Sequence, residues 1–175
     1  IRELNEIFTA FDTIMEKRGC ERIKTLGDGY LACCGLPVAD SDCAKKLVRA
    51  AIDMLVFLED RNLTAGNRFE IRIGIDSGSI VGGVVGVKKY IFDVFGDTVN
   101  MAFRLESMSV PMGLTVSDSV AKLLGKEFRL IERPGRIVKG KGILPSYYVC
   151  YRESCPKVMS NDEALAAYSK GLKLF

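Results

Sequence analysis

The 175-residue sequence contains no histidine. This absence excludes serine–histidine triads, cysteine–histidine dyads and histidine-ligated metal sites. Any catalysis by this chain must therefore depend on carboxylates, cations, amides and bound metal.

Long apolar runs are also missing: no segment is long enough to cross a bilayer, and there is no signal-peptide pattern. The net charge is only +3 and is dispersed, which does not favour a nucleic-acid partner. We therefore expect a cytoplasmic domain that makes no membrane contact itself, within a larger protein with or without a membrane anchor. The six cysteines show no C-x-x-C spacing, so we expect reduced thiols.

Hydrophobic periodicity predicts the order of the elements. The first eighteen residues read as an amphipathic helix capped by Gly19, and strands at 22–26 and 30–34 flank the hairpin turn Gly27–Gly29. Further along we expect a helix at 42–61, a strand at 69–75, a glycine-rich passage at 78–86, a strand at 90–95 and a helix whose N-cap is Asp97. Later elements are a strand near 114–116, a helix at 118–124 and strands near 127–131, 136–138 and 146–150.

This order predicts an α+β sandwich with a mainly antiparallel sheet, because helices alternate with strands of which several form hairpins. The expected kernel is a ferredoxin-like βαββαβ unit whose first strand lies upstream of residue 1. The end of the chain, at 162–175, has the spacing of an amphipathic helix.

Asp28 lies at the tip of the first predicted hairpin. One interpretation is that Asp-Gly merely suits the turn. The other is a hard-cation ligand, because Mg²⁺ takes few protein oxygens in addition to substrate phosphates. Lys24 lies four residues earlier on the strand, where an isolated lysine would usually be a solvated charge.

A second group of polar residues lies between Phe92 and Arg104. Asn100 and Arg104 are four residues apart and so share one face of the predicted helix, near a helix start that favours anions. Asp93 ends an aromatic strand. Taken singly, Asn100 could be a helix cap, Arg104 a surface arginine and Asp93 an edge carboxylate.

The third segment is Val138-Lys139-Gly140-Lys141-Gly142, a basic loop flanked by glycines. By itself it is weak evidence for phosphate binding. Together, the segments 23–30, 92–104 and 138–142 closely resemble three motifs of the class III nucleotide cyclase family, in the family's order and spacing. The resemblance covers residues 1 to about 150, and implies a cyclase catalytic domain at 1–152 followed by a helical extension at 153–175.

The resemblance implies an adenylate cyclase, a lyase that converts ATP to 3′,5′-cyclic AMP and pyrophosphate by in-line attack of the ribose 3′-oxygen on the α-phosphorus. It implies two Mg²⁺ or Mn²⁺ ions, one activating the 3′-hydroxyl and the other neutralising the phosphates. By position, Asp28 would be a ligand of both ions, Lys24 and Asp93 would read the purine, Asn100 would orient the ribose, and Arg104 and Lys139 would bind phosphate.

The choice of purine depends on Lys24 and Asp93, where guanylate cyclases of the family typically carry Glu and Cys. Lysine can donate to the N1 acceptor of adenine, and aspartate can accept from its exocyclic amine. Guanine reverses both groups, and each buried mismatch costs about 1–3 kcal/mol. These two residues therefore favour ATP.

Family members work as head-to-tail dimers, so the resemblance also implies a homodimer with Asp28 of one protomer facing the other site residues of its partner. The family's first metal-binding aspartate would lie upstream of Ile1, and we expect it there. Three alternatives remain: a guanylate cyclase, which Lys24 and Asp93 oppose; a diguanylate cyclase, which would lack the Asn-x-x-x-Arg helix and the lysine loop; and an inactive regulatory dimerisation module. Asp76 has no assigned role.

Overall fold

The structure, a computed structural model, describes residues 1–88, 90–138 and 142–152, with side chains at 134–138 and 142–144 excepted. Lys139 and the predicted extension at 153–175 lie outside these residues. Within the described part, the helices are α1 (Arg2–Lys17), α2 (Cys43–Thr64), α3 (Asp97–Ser107) and α4 (Asp118–Leu124). The strands are β1 (Glu21–Leu26), β2 (Gly29–Cys33), β3 (Arg72–Ile75), β4 (Val81–Val85), β5 (Ile91–Phe95), β6 (Gly113–Ser117), β7 (Arg129–Val138) and β8 (Gly142–Cys150).

Strand pairing in the described residues is mainly antiparallel. One four-stranded sheet has the order β3-β6-β8-β7, in which only the β3–β6 pair is parallel. The hairpins β1–β2 and β4–β5 form two further antiparallel pairs. Together with the four helices, this arrangement confirms the predicted α+β class.

The main core lies between the four-stranded sheet and helices α2 and α4. Leu55 of α2, Val116 of β6 and Val120 of α4 are fully buried there. Burying one such side chain stabilises the fold by about 1.5–3 kcal/mol. The sheet and both helices are thus held as one layered unit.

A second core joins α1 and α2 to the first hairpin. Ile7, Phe11 and Met15 recur every four residues and form the buried stripe of α1. The ring of Tyr30 on β2 contacts Phe8 and Phe11, with centroids 5.6 and 5.7 Å apart. Through these contacts α1 fixes the position of the hairpin that carries Asp28.

Several sequence predictions need correction. The glycine-rich passage contains strand β4, which was missed because Gly82 and Gly83 interrupt its valines. The ring of Phe92 lies over Gly82, with its Cζ 2.9 Å from a Cβ built there, so a larger residue at position 82 would displace the ring. The N-cap of α3 is Gly96, at φ +143°, and Asp97 is instead the first helical residue.

The remaining differences are smaller. Two strands were predicted near 127–131 and 136–138, but the structure has one strand, β7, from Arg129 to Val138. A register shift between Arg133 and Arg136 accommodates the Pro-Gly pair there. Gly19 has φ +68° beyond the end of α1, as predicted. Cys20, Cys33, Cys34 and Cys43 are free, whereas Cys150 is disulfide-bonded, so the expectation of reduced thiols is wrong for Cys150. Among the described helices, none is long and apolar enough to span a membrane.

Candidate active site

The structure brings Lys24 and Asp93 into direct contact, although 69 residues separate them in the sequence. Lys24 Nζ donates to Asp93 Oδ2 at 2.6 Å. The other carboxylate oxygen, Oδ1, accepts from the backbone N–H of Val94 at 2.8 Å. The Lys24 ammonium, and secondarily this backbone donor, hold the pKa of Asp93 below its ordinary value. The side chains are 28% and 18% exposed, so a ligand could still reach both charges.

Local irregularities of two hairpins allow this pairing. A register shift lies between Arg22 and Lys24 on β1, and it changes the direction of the lysine relative to regular pairing. On the other hairpin, Asp93 lies in the middle of β5, not at the end of the strand as predicted, and stands opposite Gly83 of β4. Because glycine has no side chain, the space beside the carboxylate stays open.

Asp28 lies at the exposed tip of the β1–β2 hairpin. Leu26 pairs with Gly29, which leaves Gly27 and Asp28 as the two turn residues. The positive φ of +63° falls on Gly27, as in a hairpin turn with glycine first. Among the described residues, no hydrogen bond or ion pair occupies the Asp28 carboxylate, so its oxygens can take an external ligand.

Asn100 and Arg104 lie on the exposed face of α3. Met101 and Leu105, about 100° further around the helix, are 8% and 2% exposed and face the interior of the domain. Within the part of the chain that the structure describes, the Asn100 and Arg104 side chains have no partner. Their placement on one helical face agrees with the prediction, and both carry unsatisfied donors into solvent.

Asp76, which had no assigned role in the site, makes a structural contact. Its carboxylate accepts from Ser119 Oγ at 3.0 Å. The Oγ of Ser117, which caps α4 by accepting from Val120 N, lies 2.7 Å from Ser119 Oγ. Asp76 therefore ties the end of β3 to the start of α4.

The β4–β5 hairpin presents a large apolar surface that sequence analysis missed. Cross-strand register pairs Val81 with Phe95 and Val85 with Ile91, and all four are 49–70% exposed. On the other face, Val84 is 64% exposed. The signal in the sequence was the pattern of valines around two glycines. An apolar patch of this kind usually marks an interaction surface.

Comparison with known proteins identifies the family. The sequence profile of the adenylate and guanylate cyclase catalytic domain matches residues 1–151. The chain belongs to this family. An adenylate cyclase of Mycobacterium tuberculosis (strain H37Rv) is 35% identical over 153 residues, which cover 87% of this chain and 34% of that protein. The cyclase domain thus spans about a third of this relative's length.

Guanylate cyclases are also similar to this cyclase domain. A receptor-type guanylate cyclase of Caenorhabditis elegans is 34% identical over 181 residues, covering 95% of this chain and 16% of that protein. The crystal structure of the guanylate cyclase domain of Catenaria anguillulae RhGC with GTP superposes with a TM-score of 0.80 at 32% identity, covering 86% of this chain and 82% of the other. Family membership therefore leaves the purine open.

Catalytic domains of this class are metal-dependent in general, and the carboxylate of Asp28 was predicted to be a metal ligand. In the described ranges, no group of three histidine, cysteine, aspartate or glutamate side chains could hold an ion. A single free carboxylate still fits Mg²⁺, which commonly takes one or two carboxylates together with substrate phosphates and water. The phosphate role of Lys139 stays a prediction.

Proposed function

We propose that this cyclase domain uses ATP and forms 3′,5′-cyclic AMP and pyrophosphate. The observation that supports ATP most directly is the contact between Lys24 and Asp93, at 2.6 Å. An ammonium and a carboxylate side by side offer a donor and an acceptor, which match the N1 acceptor and the amine donor of adenine. Guanine would place donor against donor and acceptor against acceptor.

The other site residues have distinct proposed roles. Asn100, exposed on α3, orients the ribose, and Arg104, one turn further along, binds the phosphates and stabilises the charge that develops as the 3′-oxygen bonds to the α-phosphorus and pyrophosphate departs. Asp28 would hold Mg²⁺ or Mn²⁺, in a site of two ions. Such ions lower the pKa of a coordinated hydroxyl and neutralise phosphate charge. Lys139 is a second phosphate ligand.

We also propose that the domain acts as a head-to-tail homodimer. The support is the exposed apolar surface of the β4–β5 hairpin, which includes the strand that carries Asp93. Asp28 lies at the tip of a different hairpin from Asp93 and on a different element from Arg104. A dimer assembled through β4–β5 lets Asp28 of one protomer serve the nucleotide held by its partner.

The test uses the full-length protein with the Mg²⁺ or Mn²⁺ complexes of ATP and GTP, with both cyclic products measured by mass spectrometry. We expect cyclic AMP as the main product and none after chelation of the metal. Asp28→Ala should lower kcat by on the order of a hundredfold, the scale for removing one group that stabilises transition-state charge. The matched control is Asp60→Ala, which removes another exposed carboxylate, on α2.

Other outcomes separate the rival functions. Cyclic GMP as the main product would establish the second candidate, a guanylate cyclase, which the similarity to the C. elegans and Catenaria proteins favours. Formation of neither product by the wild-type protein would support an inactive regulatory module. Equal loss of activity in the two alanine variants would contradict the role of Asp28.

A further inference from the structure

Helix α3 lies against strand β3 with no free space at Gly74. A Cβ built on Gly74 would be 2.2 Å from the Glu106 backbone nitrogen and 2.3 Å from the Ala102 carbonyl oxygen. Both atoms belong to the backbone of α3, so a side-chain movement could not relieve the overlap. Gly74 therefore sets the closest distance between the helix and the strand.

An ion pair also joins β3 to α3, and its β3 residue lies two positions before Gly74. Arg72 Nε donates to Glu106 Oε1 at 2.9 Å. The side chains are only 14% and 33% exposed, so solvent screens this charge-assisted bond less than a bond on the open surface. Arg72 and Gly74 share one face of β3 because side chains alternate along a strand. The pair opposes rotation or sliding of α3 about the contact at Gly74.

The other end of α3 is fastened separately. Thr98 Oγ1 donates to the carbonyl of Ser79 at 3.0 Å. Asn100 and Arg104 lie between this bond and Glu106. Arg104 precedes Glu106 by two residues, about 200° around the helix, so it projects away from β3 while Glu106 faces it. The contacts that α3 makes with β3 therefore determine the position of the Arg104 guanidinium on the other side of the helix.

We propose that Arg72, Gly74 and Glu106 are positioning residues for the reaction, acting through Asn100 and Arg104. The inference rests on the proposed function of this face of α3. Arginine has a long flexible side chain, and its charge is useful only if its backbone is held in the right place. A misplacement of about 1 Å in such a group can cost on the order of a hundredfold in rate. A rigid strand–helix contact meets this requirement.

The experiment compares Glu106→Gln with Glu127→Gln in the full-length protein. Both substitutions remove a carboxylate charge from an ion pair of similar exposure, 33% and 36%, but Glu127 pairs with Lys45 and Arg49 of α2, away from α3. We expect Glu106→Gln to lower kcat by about tenfold while KM for the metal–ATP complex stays within about twofold. Glu127→Gln should change neither by more than about twofold.

Two further variants test whether the effect acts through α3. In an Arg104→Ala background, where there is no guanidinium to position, Glu106→Gln should lower kcat by a clearly smaller factor than in the wild type. Combining Arg72→Glu with Glu106→Arg should restore part of the kcat lost in either single variant. Full additivity in the first experiment, or no rescue in the second, would overturn the inference.

Hydrogen exchange of the α3 amides gives a readout independent of activity. Residues 97–107 should exchange faster in Glu106→Gln than in wild type, and at the wild-type rate in Glu127→Gln. An active wild-type protein whose kcat is unchanged by Glu106→Gln would refute the positioning role and leave the proposed function standing. An inactive wild-type protein with faster exchange in Glu106→Gln would refute the proposed function, and with it any catalytic meaning of the contact.

Discussion

At the scale of single residues, the Lys24–Asp93 contact can persist when a nucleotide binds. One ammonium carries three N–H donors, and one carboxylate offers several acceptor positions. Lys24 can therefore keep its bond to Oδ2 while it donates to the base, and Asp93 can accept an amine while Oδ1 keeps the Val94 N–H. The pair is thus already oriented before the base arrives, which reduces the entropy lost on binding.

Replacing both Lys24 and Asp93 should change the preferred purine. We expect Lys24→Glu combined with Asp93→Cys to lower the ratio of kcat/KM for ATP to kcat/KM for GTP by on the order of a hundredfold, because two mismatches of about 1.4 kcal/mol each are introduced against adenine. Steady-state assays with both nucleotides measure the ratio.

The matched control changes a different ion pair in the same way, with Lys46→Glu and Asp40→Cys. Asp40 precedes α2, and Lys46 lies in its first turn. This control should leave the ratio unaltered. If both double variants shift the ratio equally, or if the site variant leaves it constant, Lys24 and Asp93 do not select the base.

At the scale of elements, the same ion pair connects two hairpins that share no backbone ladder in the described residues. The β1–β2 hairpin is otherwise held to α1 by the ring contacts of Tyr30, and Val94 inserts the β4–β5 hairpin into the core at 5% exposure. The ion pair of Lys24 and Asp93 therefore helps to fix the position of one hairpin relative to the other.

This contribution should depend on pH. The folded-state pKa of Asp93 lies below its ordinary value of 3.8, chiefly because of Lys24. A lowered folded pKa means that the stabilisation is complete above the unfolded value and is lost as pH falls through the folded value. Asp93→Asn should therefore unfold at a lower temperature than wild type near neutral pH, with the difference shrinking below about pH 4.

Thermal unfolding midpoints across the acidic range measure this difference. Lys24→Met should show the same convergence with wild type, because it removes the other member of the pair. A constant offset between wild type and Asp93→Asn at every pH would mean that the ion pair does not supply the pH-dependent part of the stability.

At the scale of the whole molecule, the described surface contains an exposed apolar patch and charged side chains without a partner. The β4–β5 hairpin exposes valine, isoleucine and phenylalanine on both faces, while Asp28 and Arg104 offer unpartnered charges. In the proposed homodimer, a second copy of the chain would cover the apolar surface and supply its Asp28 to the site of its partner. A twofold arrangement of this kind uses the same surface from both protomers.

A charge placed in this surface should separate the protomers. Val85→Asp introduces a carboxylate at a position that is 53% exposed in one chain, and burying it in a dimer would be costly. We expect a shift to the monomer in sedimentation velocity and a loss of activity of at least about tenfold at sub-micromolar protein, equivalent to roughly 1.4 kcal/mol or more of lost association free energy.

Leu123→Asp is the control, because Leu123 on α4 is 50% exposed and lies outside the hairpin. It should leave both the sedimentation coefficient and the activity near those of wild type. A monomeric wild-type protein with full activity would contradict the dimer proposal.

Much of the fold follows from local sequence patterns. The first helix is predicted from apolar residues at three- and four-residue spacing: Leu4, Ile7, Phe8, Phe11, Ile14 and Met15. Gly19 predicts where α1 ends, and the structure agrees. Strand β4 could not be predicted in this way, because Gly82 and Gly83 have low strand propensity. Its formation depends on pairing with β5 and on the ring of Phe92 over Gly82, both of which are tertiary contacts.

The sequence by itself determined the chemical character of this protein. It has no histidine, and the candidate site that it predicts, in segments that resemble those of the cyclase family, consists of Lys24, Asp28, Asp93, Asn100, Arg104 and Lys139. Only the tertiary structure decided that Lys24 and Asp93 touch, since no local pattern relates residues on two separate hairpins. It also decided how α3 is held, because the contact of Gly74 with the helix backbone and the bond between Arg72 and Glu106 arise from packing, which brings distant segments within bonding distance.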